Sequence, residues 1–166
     1  MKEQVIKMKL IIISGPSGSG KTTLSNQIIK TNKNGFVLRT DNYYKTGLMS
    51  KLLSKFVKGF FDRSISFNNK LFKKDFDFIY KNGISICDRY YNFEKKTIQN
   101  ILNETNNISF LIVEGIFAKE FSNTLNNKDY IFLEIQTKKN ECMKRVVQRD
   151  INERGKDKKQ AENDFL

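Results

Sequence analysis

The sequence predicts an α/β fold, a parallel sheet of about five strands covered on both faces by helices, in a single domain over 1–166. Three observations lead there. Short apolar runs rich in β-branched residues alternate with longer stretches whose apolar residues recur every four positions. The stretch "GPSGSGKT", 15–22, stands between the first apolar run and the first helix-like stretch, at the strand end where parallel sheets bind ligands. The chain has 166 residues, 39% of them apolar, which suffices for one core of this kind and hardly for two.

The first strand is expected over 9–14, followed by a helix that begins near Lys21 and sets Leu24 and Ile28 on one face. A second strand, 36–39, precedes two helical stripes, Leu48 with Leu52 and Phe56, then Phe72 with Phe76 and Tyr80. Gly83 after Asn82 reads as the stop of the latter, before a third strand at 84–87. Ile98 with Leu102 suggests a further helix before the fourth strand, 108–114, and Phe117, Phe121 and Leu125 suggest another before the fifth, 130–135. These stripes are expected to be core surface. No repeat or Pro/Gly/Ser-rich linker divides the chain, and its sole proline lies inside the glycine cluster.

Composition removes several function classes. The formal charge is +12, but 24 of the 30 basic residues are scattered lysines in a chain also rich in Asn and Ile, a compositional bias rather than a nucleic-acid-binding stripe. A basic surface suits a polyanionic small substrate such as a nucleoside triphosphate. The absence of histidine excludes His-based acid–base chemistry and most zinc sites. Cys87 and Cys142 stand alone in no metal-ligand spacing and read as free thiols in a reducing compartment. No apolar run is long enough to span a membrane, and "MKEQVIKMK" lacks the apolar region of a signal peptide, so a cytoplasmic protein without a membrane partner is expected.

Gly15, Gly20, Lys21 and Thr22 satisfy G-x-x-x-x-G-K-[ST], a loop whose backbone N–H groups surround a chain of phosphates. Glycines let the main chain approach the anion closely, and the helix beginning near Lys21 aims its positive end at the same point. The expected nucleotide contacts are Gly15, Ser17, Gly18, Ser19, Gly20, Lys21, Thr22 and Thr23, with Lys21 reaching the β- and γ-phosphates and Thr22 coordinating Mg²⁺. Asp41 follows the second strand in "RTDNYY", beside this loop, and Glu114 ends the fourth in "FLIVEG", as the carboxylate that a Mg²⁺ site needs opposite Thr22. The stretch "CMKRVVQRDINERGKDKK" carries Arg145, Arg149 and Arg154, half of the six arginines, the residue type suited to transferring phosphoryl groups.

Taken in order, "GPSGSGKTT", "DNYYK", "FDRSISF", "CDRYYNF", "FLIVEGIF" and "RDINERGKD" resemble the uridine kinase family of P-loop nucleoside kinases, from about Lys9 to Asp157. The resemblance implies a P-loop NTPase three-layer sandwich with a helical lid at roughly 138–160, using ATP (or GTP) and Mg²⁺ to phosphorylate the 5′-hydroxyl of uridine or cytidine. Asp41 then matches the carboxylate that takes the proton from that hydroxyl, Tyr44 a tyrosine near the sugar, Asp62 the aspartate on the ribose 2′- and 3′-hydroxyls, and Glu114 the magnesium-associated glutamate. Arg149 and Arg154 match arginines of the lid, and Lys156 stands where many members have another. The base-contacting tyrosine and histidine of that family fall here on Cys87 and Asn92, with Glu94 where a basic residue is usual, and one lid arginine falls on Val146. The chain also stops at Leu166, before the last helix and strand of such kinases, which leaves open a short branch or a portion of a longer protein.

Similar lids occur in phosphoribulokinases, and nicotinamide riboside and pantothenate kinases share the scaffold, so the acceptor is a nucleoside or a similar small hydroxylated metabolite. Self-association into a homo-oligomer is compatible with the sequence. The competing class is a nucleotide-controlled switch. "NNKD", 126–129, lacks the spacer of the guanine-reading N-K-x-D, and Glu114-Gly115 stands where such a switch has D-x-x-G.

Overall fold

The computed structural model describes residues 8–57, 59–125 and 129–165, so most of the start "MKEQVIKMK" and three residues of "NNKD" lie outside the described residues. Among the described residues six strands, β1 (Lys9–Ser14), β2 (Gly35–Arg39), β3 (Ser85–Asn92), β4 (Thr97–Thr105), β5 (Phe110–Glu114) and β6 (Ile131–Glu134), form two separate sheets. The larger is parallel, in the order β2-β5-β1-β6, with Val37 opposite Ile112, Ile11 opposite Ile112, and Ile11 opposite Ile131. Its two central strands are covered on both faces, which is why they read as unbroken apolar runs: Ile12, Ile13, Leu111, Ile112 and Val113 are fully buried.

Among the described residues six helices accompany the strands: α1 (Lys21–Thr31), α2 (Leu48–Phe56), α3 (Asn69–Asn82), α4 (Ala118–Ser122), α5 (Lys139–Arg154) and α6 (Lys158–Phe165). Helix α3 has a complete set of terminal signals. The Asn68 side chain accepts from Leu71 N at 3.2 Å at its start, and Gly83 ends it in the left-handed region at φ 65°. The stripe on α3 buries Phe72, Phe76 and Ile79, and Phe121 of α4 meets the rings of Phe72 and Phe76 at 4.8 Å each. No helix among the described residues is long and apolar enough to cross a membrane.

The α/β architecture is as the sequence predicts, with four strands in the parallel sheet rather than five; the stripe on α2 expected in the core is instead exposed, Leu48, Leu52 and Phe56 all facing solvent. The strand expected at 84–87 runs on to Asn92 and turns back as β4, giving an antiparallel hairpin. Ile98 and Leu102, expected on a helix, therefore lie in a strand. Two apolar residues four apart suit either element, and the run from Thr97 to Thr105 carries β-branched Thr97, Ile98, Ile101 and Thr105. The connecting loop supplies turn chemistry: Asn92 Oδ1 accepts from Lys95 N at 2.7 Å, and Lys96 adopts φ 53°. The hairpin shares no backbone ladder with the parallel sheet.

Candidate active site

The glycine cluster forms a loop from the carboxyl end of β1 to the start of α1, with Gly15, Gly18 and Gly20 at φ 150°, 77° and 101°. Side chains there would collide with the structure: a Cβ on Gly15 would come within 2.7 Å of Ile135 O, and one on Gly18 within 2.6 Å of Cys142 O. Donors from the next layer occupy the loop carbonyls, Thr137 Oγ1 on Ser19 O and Arg145 Nη1 on Gly18 O, both at 3.1 Å. Lys21 is buried, and its ammonium donates to Pro16 O at 2.9 Å. Burial lowers its pKa, and the carboxylates of Asp41 and Glu114 oppose that shift.

Glu114, at the end of β5, is buried, accepts from Thr22 Oγ1 at 2.9 Å and pairs with Arg39 Nε at 3.2 Å. Burial nevertheless raises its pKa, more than the hydrogen bond from Thr22 and the charges of Arg39 and Lys21 lower it. A short 3₁₀ turn, Thr40–Asn42, follows β2 and carries Asp41. Gly115, at φ 141°, lets this turn approach, since a Cβ there would overlap Thr40 Oγ1.

Beside the loop lies a cavity of about 1070 Å³. Gly15, Pro16 and Ser17 line one part, Asp41, Tyr44 and Asp62 another, and Arg149, Arg154 and Lys156 a third. Burial raises the pKa of Asp62, helped by Asp41 and opposed by Arg154 and Arg149. Burial also holds the Tyr44 phenol far above its ordinary value, so it stays a neutral hydroxyl. The cations converge on buried Asp150: Arg149 donates to Oδ1 from Nε at 3.1 Å and Nη2 at 2.9 Å, Lys156 to Oδ2 at 2.8 Å, and Arg154 Nη1 stands 3.3 Å from Oδ1. Burial alone would raise the pKa of Asp150, but the Lys156 hydrogen bond and the two guanidiniums bring it below the ordinary value. The Arg154 guanidinium lies 3.6 Å from the centroid of the Phe93 ring, and burial lowers its pKa, with Arg149 adding to the shift.

The match to a family model decides the relationship. The model of the phosphoribulokinase / uridine kinase family covers residues 10–165. The chain belongs to this family. It is 29% identical to the uridine kinase of Ureaplasma parvum serovar 3 over 151 residues, 89% of this chain and 71% of that protein. It is 28% identical to the uridine kinase of Staphylococcus aureus over 158 residues, 95% of this chain and 75% of that one. A crystal structure from Silicibacter sp. TM1040, of a candidate fructose transport system kinase, superposes with a TM-score of 0.69 at 17% identity, over 99% of this chain and 84% of its own, a likeness of fold.

For this member of the kinase family, the structure gathers the loop 15–23, Asp41, Tyr44, Asp62, Glu114, Arg149 and Arg154 at one end of the sheet. It does not bring Cys87 or Asn92 to the cavity. Cys87 lies within β3, with its Sγ 3.7 Å from Asp88 O, and Asn92 is used in the hairpin turn. The hairpin residues that do line the cavity are Phe93 and Lys96, and Tyr91 packs behind Phe93, with centroids 5.0 Å apart. Arg39, Phe61 and Asp150 are further site residues beyond those expected. Asp150 could have been noticed inside "RDINERG", whereas Arg39 and Phe61 carry no local signal.

Proposed function

We propose that this protein transfers the γ-phosphoryl group of ATP, with Mg²⁺, to the 5′-hydroxyl of a pyrimidine nucleoside, uridine or cytidine, inside the cell. The observation that carries the reading is the single cavity shared by a phosphate-type loop, a carboxylate fit to act as a base and a cluster of lid-type cations. Two features suit the nucleotide and its metal. The loop is a cradle that side chains at Gly15 or Gly18 would fill, and buried Ser19 Oγ has no hydrogen-bond partner among the described residues. Thr22 and Glu114 supply hard oxygen donors of the kind Mg²⁺ takes. Held by Thr22 and Glu114, the metal would supply charge neutralisation to the phosphates.

In this reading Asp41 takes the proton of the acceptor hydroxyl, and Tyr44 and Asp62 orient the sugar, the carboxylate accepting from a ribose diol. Lys21 neutralises the phosphates in the ground state. Helix α5 and the start of α6 act as the lid, whose Arg149 and Arg154 stabilise charge on the transferring group. Phe61 and Phe93 line the cavity as aromatic surface for a planar base, although the Arg154 guanidinium already covers one face of Phe93.

The test is a panel of uridine, cytidine, deoxyuridine, nicotinamide riboside, pantothenate and ribulose 5-phosphate, scored by ADP release and product mass. A nucleoside 5′-monophosphate is the expected product. Phosphorylation of another acceptor alone would overturn the nucleoside assignment, and ADP release indifferent to every acceptor would favour a nucleotide-controlled switch.

A further inference from the structure

The hairpin reaches the cavity through Phe93 and Lys96, yet β3 and β4 pair only with each other. Backbone fixes only its base, where the chain runs in from α3 and out to β5 and Ile108 N bonds to Gly83 O at 2.8 Å; nearer the cavity, side chains set its position relative to Asp41. One set is an aromatic cluster, in which Tyr91 and Phe93 meet Tyr44 at 5.1 and 5.6 Å and Phe61 at 6.0 and 5.5 Å. Ring packing holds surfaces together but tolerates sliding, because apolar attraction has little direction. The other set is directional. Asp75 of α3 accepts from Tyr43 Oη at 2.9 Å and from both Nε and Nη2 of Arg89, the latter at 3.1 Å. Arg89 belongs to β3 and also donates through Nη1 to Asn100 Oδ1 of β4 at 2.6 Å, so one guanidinium ties both hairpin strands to α3.

Tyr43 is the other end of this joint. Its N–H closes the 3₁₀ turn that carries Asp41, bonding to Thr40 O at 3.0 Å, and its carbonyl accepts from Asn68 N at 2.7 Å just before α3 begins. The ring is buried edge-on against Phe72, with centroids 5.0 Å apart. The side chains of Asp75 and Arg89 are less than one-fifth exposed, 18% and 17%, so water competes weakly for the pair.

We infer that Asp75 is a positioning residue for the acceptor: through Tyr43 and Arg89 it fixes the distance between the Asp41 turn and the hairpin wall of the cavity. This rests on the acceptor binding between those two elements, as under the proposed function. The phosphate loop is held at two of its carbonyls by Thr137 and Arg145, donors that take no part in the joint.

The experiment compares Asp75→Asn, Tyr43→Phe and Arg89→Lys with the unaltered protein, in acceptor KM, ATP KM and amide hydrogen exchange. Tyr43→Phe keeps the ring and Arg89→Lys keeps the charge without the fork, so the joint stays testable should Asp75→Asn fail to fold. The expected result is an acceptor KM raised by about tenfold with ATP KM within about twofold, together with faster exchange at 85–105 and unchanged exchange in β1 and β5. Asp75→Glu should recover part of the loss. Equal losses for ATP and acceptor, or hairpin exchange indistinguishable from that of the unaltered protein, would overturn the inference. Should the unaltered protein phosphorylate no nucleoside, the functional reading fails while the exchange experiment still judges the joint.

Discussion

The two walls of the cavity are built on different principles. The phosphate-loop wall is backbone: a glycine-rich turn fixed between a central parallel strand and a helix, with its carbonyls already bonded. The hairpin wall is side chain, a two-stranded sheet attached by rings and one carboxylate–guanidinium pair. A backbone wall tolerates little variation in what it binds, because its N–H groups cannot be exchanged by substitution. A side-chain wall can be re-cut residue by residue. The phosphate loop accordingly suits a fixed phosphate donor, and the hairpin side is where a choice among acceptors can be made.

The sharpest break in this comparison is expected at Asp41, which stands where the walls meet. Asp41→Asn keeps the shape and removes the proton acceptor, so turnover should fall by roughly 10²–10⁴-fold while ATP affinity, measured by direct titration, changes little. Full turnover in the variant would make Asp41 a turn residue. Next in size, Lys21→Ala should weaken ATP binding and turnover together, whereas Arg149→Ala should lower kcat by about 10²-fold with a smaller effect on ATP affinity. Identical profiles for the two variants would erase the distinction between ground-state and transition-state contacts.

Legibility followed the same division. The loop was readable because phosphate binding demands glycine at fixed spacings, and Asp41 and Glu114 because sheet topology puts strand ends beside that loop. The hairpin was not. Ile98 and Leu102 fit two periodicities, and Asp75 is one acidic residue on a Lys-rich helix, with nothing in "KKDFDF" to separate it from Asp77. Its partners, Tyr43 and Arg89, are 32 and 14 residues away in sequence. Cys87 and Asn92 were expected at the base for a related reason: without the hairpin register, the residues facing the cavity, Phe93 and Lys96, could not be chosen.

Recognition of the acceptor draws on the rings and on Asp62, which lies outside the hairpin in the short turn Phe60–Asp62. Aromatic faces stack on any base, while a carboxylate at the sugar distinguishes a diol from a single hydroxyl. The ratio of kcat/KM for uridine over deoxyuridine should therefore exceed that for uridine over cytidine, and Asp62→Ala should reduce the first ratio by about tenfold or more. The reverse order would put base recognition ahead of the sugar.

The smallest effect concerns Glu114 and is read in stability. Its pKa is raised in the folded protein, so its ionised form opposes folding: the folded state is favoured below the ordinary carboxylate range, and that advantage is lost as pH rises through the folded pKa. Glu114→Gln should consequently raise Tm slightly at neutral pH and flatten its dependence on pH, while lowering turnover. A lower Tm at neutral pH would show that the Arg39 pair outweighs the cost of burial.

The outer edge of the parallel sheet has a practical consequence. Strand β6 pairs with β1 on one side, and among the described residues no strand covers the other; Ile131 is 59% exposed and Phe132 37%. Such a row of backbone donors and acceptors, flanked by apolar side chains, is a template for intermolecular pairing. The formal charge of +12 opposes such pairing, a long-range repulsion that extends roughly 10 Å at 0.1 M salt and about 3 Å at 1 M. Shelf life in concentrated solution should thus shorten as salt is added, the reverse of ordinary salting-in.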